Sequence, residues 1–111
     1  MKGAAIKALL EDIADNLFHP DPFYQQGGDM VRSGGISFTL DVAAGAGQRI
    51  SNLRLKQSGQ AIEASRDYVV AGWASINEGV EGPPIWDLVF RHLAKGPLNV
   101  TPRQDIELRG V

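Results

Sequence analysis

The chain has 111 residues, 43% hydrophobic and 22% charged, enough for one well-buried globular domain and too apolar for a disordered segment. Eleven basic residues against thirteen acidic ones leave a net charge of −2, which excludes a general nucleic-acid binder with its basic stripe. The lack of any cysteine excludes disulfide frameworks, thiolate metal sites and cysteine nucleophiles, and leaves the redox compartment open.

Lys2 and the apolar residues after it imitate the start of a signal peptide. Glu11, Asp12 and Asp15 interrupt it, and no small-residue cleavage site follows. No apolar run approaches the ~18 residues of a membrane helix, so neither a leader nor a membrane segment is expected. Residues 2–18 predict an amphipathic helix: Ile6, Leu10, Ile13 and Leu17 recur at steps of three and four, with Leu9 and Ala14 widening the stripe. Lys7, Glu11, Asp12 and Asp15 fill the other face. Pro20 and Pro22 stop the helix by Phe18. Residues 19–35 follow without periodicity, carrying two GG pairs and the adjacent aromatics Phe23 and Tyr24. An irregular run of that length marks a functional loop or an interface.

Residues 36–41 alternate cleanly, with Ile36, Phe38 and Leu40 on one face of a half-buried strand. After a small-residue turn at 43–47, residues 50–56 predict a second strand in which Ile50 is out of phase with Leu53 and Leu55. A bulge near Ser51 and Asn52 reconciles them. Residues 57–60 form a turn. Residues 68–73 (Tyr-Val-Val-Ala-Gly-Trp) are continuously apolar, as in a strand covered on both faces. A loop at 74–82 precedes a second helix, begun by Pro83 and Pro84 with Asp87 in its first turn. Arg91, His92 and Lys95 lie in its last turn and Gly96 just beyond. Its expected buried stripe is Ile85, Leu88, Val89 and Leu93, with Trp86 also in the core. Residues 105–109 make a short final strand. This order predicts an α+β domain, a mixed β-sheet packed with two helices and occupying residues 1–111 as a single unit.

Thirteen glycines, against about eight at the usual ~7%, invite a phosphate-loop reading. It fails: Ile50 occupies the third position of GxGxxG after Gly45 and Gly47, and a strand follows where the phosphate-binding helix should begin. His19 and His92 lack ligand spacing, and no serine sits in a GxSxG setting. What stands out is a pair of segments. Asp29 and Arg32 lie inside the glycine-rich loop, and Trp73, Asn77 and Glu78 leave the end of an expected central strand, where ligand crevices form. The plainer readings are a core Trp73 and a local Asp29–Arg32 pair that orders the loop.

The runs FYQQGGDMVRSGGISFTLD and YVVAGWASINEGVEGPPIWD resemble the C-terminal domain of the SoxB thiosulfohydrolases and, more distantly, that of the 5′-nucleotidase family. The resemblance covers nearly the whole chain and is weakest after Lys95. It implies the C-terminal part of a two-domain enzyme whose N-terminal metallophosphatase domain carries two manganese ions and hydrolyses sulfate from a sulfur chain on the SoxYZ carrier protein, in the periplasm. The chain contains neither an Asp-x-His nor an Asn-His-Glu metal signature. It therefore reads as a truncated 5′-nucleotidase-type C-terminal domain, without the metals and inactive alone. Carried over by position, Trp73, Asn77 and Glu78 line the substrate cleft, followed by Asp29 and Arg32, while Phe23 and Tyr24 are interface candidates. The nucleotidase pattern of an aromatic followed by GGDG is matched only loosely by Trp73 and residues 78–83, which favours the SoxB branch. Two alternatives stay open: a stand-alone module that docks a carrier through residues 23–35, and the domain of a 5′-nucleotidase-type phosphohydrolase.

Overall fold

The computed structural model describes residues 1–71, 83–98 and 105–110. These divide into two compact units, Met1–Tyr68 together with the C-terminal strand, and Val69–Pro102. In chain order the elements are α1 (Gly3–Leu17), β1 (Ile36–Asp41), β2 (Ile50–Leu55), α2 (Ile85–Leu93) and β3 (Asp105–Arg109), with a short 3₁₀ turn at Pro22–Tyr24. The α+β class with a mixed sheet and two helices is as expected.

The first unit is a three-stranded sheet of order β2-β1-β3 with α1 on one face. β1 and β2 are antiparallel, whereas β1 and β3 are parallel, Phe38 standing beside Ile106 and Leu40 beside Leu108. Ile6, Leu10 and Ala14 of α1 close on Phe38 and Leu40 of β1 and on Ile50 and Leu53 of β2. Ile50 and Leu53 lie three residues apart yet both point inward, which a regular strand forbids. The register accordingly shifts between Ser37 and Thr39, and Asn52 takes a left-handed φ of 53°. The expected bulge is there.

No side chain caps the start of α1. Instead, the Gly3 and Ala4 amides donate to the carbonyls of Arg66 (3.0 Å) and Ala64 (2.9 Å), which satisfies two donors that a helix start leaves without partners. This close approach requires glycine at position 3, because a Cβ there would lie 2.2 Å from the Glu63 carbonyl oxygen. The helix ends at Leu17, ahead of the prolines, as expected.

Three expectations are corrected. Glu11 is not on a solvated face: it is buried, because it serves backbone amides of the facing loop and strand. Tyr68 bonds to Met1 through its backbone, but residues 69–71 pair with no other described residue, and Val69 and Val70 are exposed. An apolar run is a strand only when a neighbour takes up its backbone donors and acceptors. In the second unit, α2 runs from Ile85 to Leu93 with Arg91 and His92 in its last turn as expected, while Pro83, Pro84 and Lys95, expected in its first and last turns, lie outside it. Its Ile85, Leu88, Val89 and Leu93 are nevertheless 38–49% exposed, and Trp86 is 63% exposed rather than core. Periodicity defines a stripe on a helix but does not supply the surface that covers it.

Candidate functional site

A buried polar clamp sits at the base of the loop that carries four of the seven candidate residues. Glu11 Oε2 accepts the Arg49 amide at 2.9 Å and its Oε1 accepts the Ile50 amide at 3.0 Å. Asp15 takes the Gly47 amide at 2.8 Å and Arg49 Nε at 2.9 Å. The two terminal nitrogens of Arg49 donate to the carbonyls of Val42 and Phe18. One buried guanidinium thus ties the end of α1 to the β1–β2 turn, at the point where the chain leaves for the loop. Sequence reasoning missed this cluster, since Glu11 and Asp15 sit among polar residues and Arg49 lies between a small-residue turn and a strand. The available signal was an arginine immediately before an inward-facing strand.

From Phe18 the loop is locally ordered. The Asp21 side chain accepts the Phe23 amide at 2.9 Å, the Asp21 amide donates to His19 Nδ1 at 3.1 Å, and Gln25 Nε2 donates to the His19 carbonyl at 2.8 Å. The Gln26 amide reaches back to the Asn16 carbonyl at 3.0 Å. These bonds and two prolines hold an aromatic ridge. The His19 and Tyr24 rings lie 5.3 Å apart, and Phe23 meets Tyr24 edge-on at 5.7 Å. Phe23 is 89% exposed and Tyr24 63%. Beyond the ridge, Met30 and Val31 pack against the core, while Asp29 and Arg32 on either side of them face solvent. Asp29 and Arg32 form neither an ion pair nor a hydrogen bond with each other, so they are not the ordering pair that their spacing suggested. Gly28 and Gly35 adopt the left-handed φ values of 136° and 79°. Trp73, Asn77 and Glu78 lie outside the described residues.

The sheet face opposite α1 carries a second polar network that the sequence did not announce. Asn52 Nδ2 donates to Thr39 Oγ1 (3.2 Å), Thr39 Oγ1 donates to Glu107 Oε2 (3.1 Å), and Arg109 donates twice to Glu107 Oε1 (2.8 and 3.0 Å). The chain of contacts crosses β2, β1 and β3 in spatial order and floors an open groove of 560 Å³. The hydrogen bonds from Arg109 and then Thr39, with the Arg109 charge, hold the Glu107 carboxyl below the usual carboxylate range. Glu107 is therefore an acceptor at neutral pH and not a proton donor.

Among the described residues, no group of three or more histidine, aspartate or glutamate side chains could hold a metal ion. The resemblance places the manganese pair on an N-terminal metallophosphatase domain, not on these residues. Among them, too, no helix is long and apolar enough to cross a membrane.

Residues 1–88 match the family model described as the 5′-nucleotidase, C-terminal domain. The chain belongs to this family. The matched part of this 5′-nucleotidase C-terminal domain contains all seven candidate residues, from Phe23 to Glu78, and excludes β3. Among solved structures the domain is similar to the sulfate thiohydrolase SoxB of Thermus thermophilus, determined in complex with glycerol, at 33% sequence identity and a TM-score of 0.74. That similarity covers 100% of this chain and 22% of the SoxB chain. No curated protein matches.

Proposed function

We propose that this domain is the C-terminal, cleft-forming domain of a SoxB-like thiosulfohydrolase. In this reading the two manganese ions belong to an N-terminal metallophosphatase domain, and when bound they supply an activated water for hydrolysis. The substrate is a sulfur chain carried on SoxYZ, in the periplasm. The observation that carries the reading is the likeness to a SoxB over the full length of this chain, at an identity well above that of fold likeness alone. Trp73, Asn77 and Glu78 line the cleft, with Asp29 and Arg32 beside it, and no residue of this domain is assigned a catalytic role.

The test is a domain exchange. This chain replaces the corresponding part of the Thermus enzyme, and sulfate release from a thiosulfonate-loaded carrier is measured. A folded, metal-loaded chimaera that turns over supports the reading; one that is folded, loaded and silent overturns it. Turnover of a nucleoside monophosphate in place of the carrier would return the domain to the nucleotidase branch. Within an active chimaera, Trp73→Ala lowers kcat/KM without unfolding the domain; unchanged kinetics would assign Trp73 to the core.

The aromatic ridge favours a second reading that needs no chemistry, a protein-docking module. Exposed aromatics on a preordered loop are the usual anchors of interfaces, since they add contact area at little entropic cost. Calorimetric titration of the 111-residue chain with the carrier decides it, and an absence of heat at high micromolar concentration rejects it.

A further inference from the structure

The candidate loop is tied to the first unit at two backbone points. The Gln26 amide donates to the Asn16 carbonyl at 3.0 Å, and the Gly35 carbonyl accepts the Lys56 amide at 2.9 Å. Between these ties, residues 27–34 make no hydrogen bond or ion pair with any described residue. Two apolar side chains hold the segment down instead. Met30 and Val31 are half-buried and pack against the core of α1, β1 and β2, while Asp29 and Arg32 beside them are exposed.

A diglycine stands at each tie, Gly27-Gly28 at one end and Gly34-Gly35 at the other. A Cβ added at any of the four meets nothing within 4 Å, so crowding does not require glycine there. Gly28 and Gly35 hold positive φ values of 136° and 79°, whereas Gly27 and Gly34 do not. What the four share is backbone freedom, placed where a moving segment would turn. Most segments must break backbone hydrogen bonds to open. This one has only two half-buried side chains to release, which puts its opening at the low end of local unfolding.

We infer that residues 27–34 are a hinged strap, latched by Met30 and Val31, that opens and closes while α1 and the sheet stay folded. Opening lifts Met30 and Val31 off the core and carries Asp29 and Arg32 with them as one piece. In the reading above, Asp29 and Arg32 lie beside the substrate cleft, so the state of the strap sets whether they reach it. That role alone rests on the reading.

The chain has no cysteine, so a single introduced one is a unique probe. Val31→Cys keeps the latch close to its original size, and its labelling by a thiol reagent reads each opening. Labelling should be about tenfold or more slower than at the exposed Asp29→Cys, and about a hundredfold or more faster than global unfolding of the same protein allows. Dilute urea should change it little, because a local opening exposes little surface. In the Val31→Cys background, Gly27→Ala and Gly34→Ala should each slow labelling about two- to fivefold, since alanine fits the closed strap and has less freedom in the open one. Gly28→Ala should speed it, since alanine at that φ strains only the closed strap. Labelling at the rate and urea slope of global unfolding overturns the inference, and so does labelling as fast as at Asp29→Cys. Glycine variants that all label at the parent rate remove the hinges and overturn it too. The readout needs neither metal, carrier nor turnover. A silent chimaera with a latched strap removes the functional reading alone, and an active one whose Val31→Cys labels only on global unfolding removes the strap alone.

Discussion

The Glu11 carboxylate and the Arg49 amide, 38 residues apart in sequence, meet at 2.9 Å in the interior, and the second oxygen of Glu11 takes the next amide, Ile50. Glu11 is 6% exposed, so the two amides it serves have little access to solvent. Glu11→Ala leaves two buried N–H groups without acceptors and should cost about 3 kcal/mol. Glu11→Gln keeps one acceptor and should cost about half as much. Urea denaturation with an unchanged m-value measures both. A neutral Glu11→Ala would mean that the clamp contributes nothing net.

Arg49 makes three bonds through one planar group, to Asp15 and Phe18 at the end of α1 and to Val42 in the β1–β2 turn. Lysine keeps the charge but cannot spread three donors over those directions. Arg49→Lys is therefore expected to cost about 1–3 kcal/mol. It should also speed amide exchange at Gln26, whose bond to Asn16 lies just beyond the clamped helix end. Unaltered exchange at Gln26 would separate the clamp from the loop.

Gly3 sits where the start of α1 touches the 63–66 segment. The added methyl of Gly3→Ala would meet the Glu63 carbonyl oxygen at 2.2 Å. Elsewhere in a helix this exchange stabilises, so the sign is diagnostic. A loss of about 1–3 kcal/mol is expected, and a gain in thermal midpoint would show that the segment yields freely.

Glu107 supplies a pH dependence with a definite sign. Its carboxyl is held below the ordinary value by Arg109 and Thr39, so the unfolded chain binds this proton more tightly. The stability it adds is complete above the ordinary glutamate pKa of ~4.3 and disappears as pH falls through the lower folded value. The difference in stability between the parent and Glu107→Gln should shrink as pH drops below about 4, and salt should shrink it at neutral pH because the pair is exposed. A difference that persists at pH 2 would point to the neutral hydrogen bond instead.

Phe23 and Tyr24 separate docking from stability. Both rings are largely in solvent, so Phe23→Ser and Tyr24→Ser should each change unfolding free energy by less than about 0.5 kcal/mol. If the ridge docks a protein, each weakens carrier binding tenfold or more. Full affinity in both variants removes the docking role.

Local rules carried much of the fold. The helix stopped by Pro20 and Pro22, the alternation of Ile36, Phe38 and Leu40, and the Asn52 bulge all follow from spacings and from residues that forbid a conformation. The candidate loop was legible for a similar reason, since its prolines and paired glycines rule out regular structure. Legibility failed where a residue's role depends on something distant. Glu11 reads as solvated because its partners are amides at positions 49 and 50. Thr39 and Glu107 read as ordinary strand residues because they meet only when β1 and β3 pair in parallel.

Taken alone, the sequence determined the types and approximate positions of α1, β1, β2, α2 and β3, because periodicity, proline and glycine act over a few residues. It also carried the family likeness that the comparisons bear out. Only the tertiary structure decided which faces are covered. It buried Glu11 and Arg49, left Trp86 and Val69 exposed, and gave 69–71 no strand partner among the described residues. The reason is physical: hydrophobicity states what a surface needs, whereas burial depends on whether another part of the molecule is there to meet it.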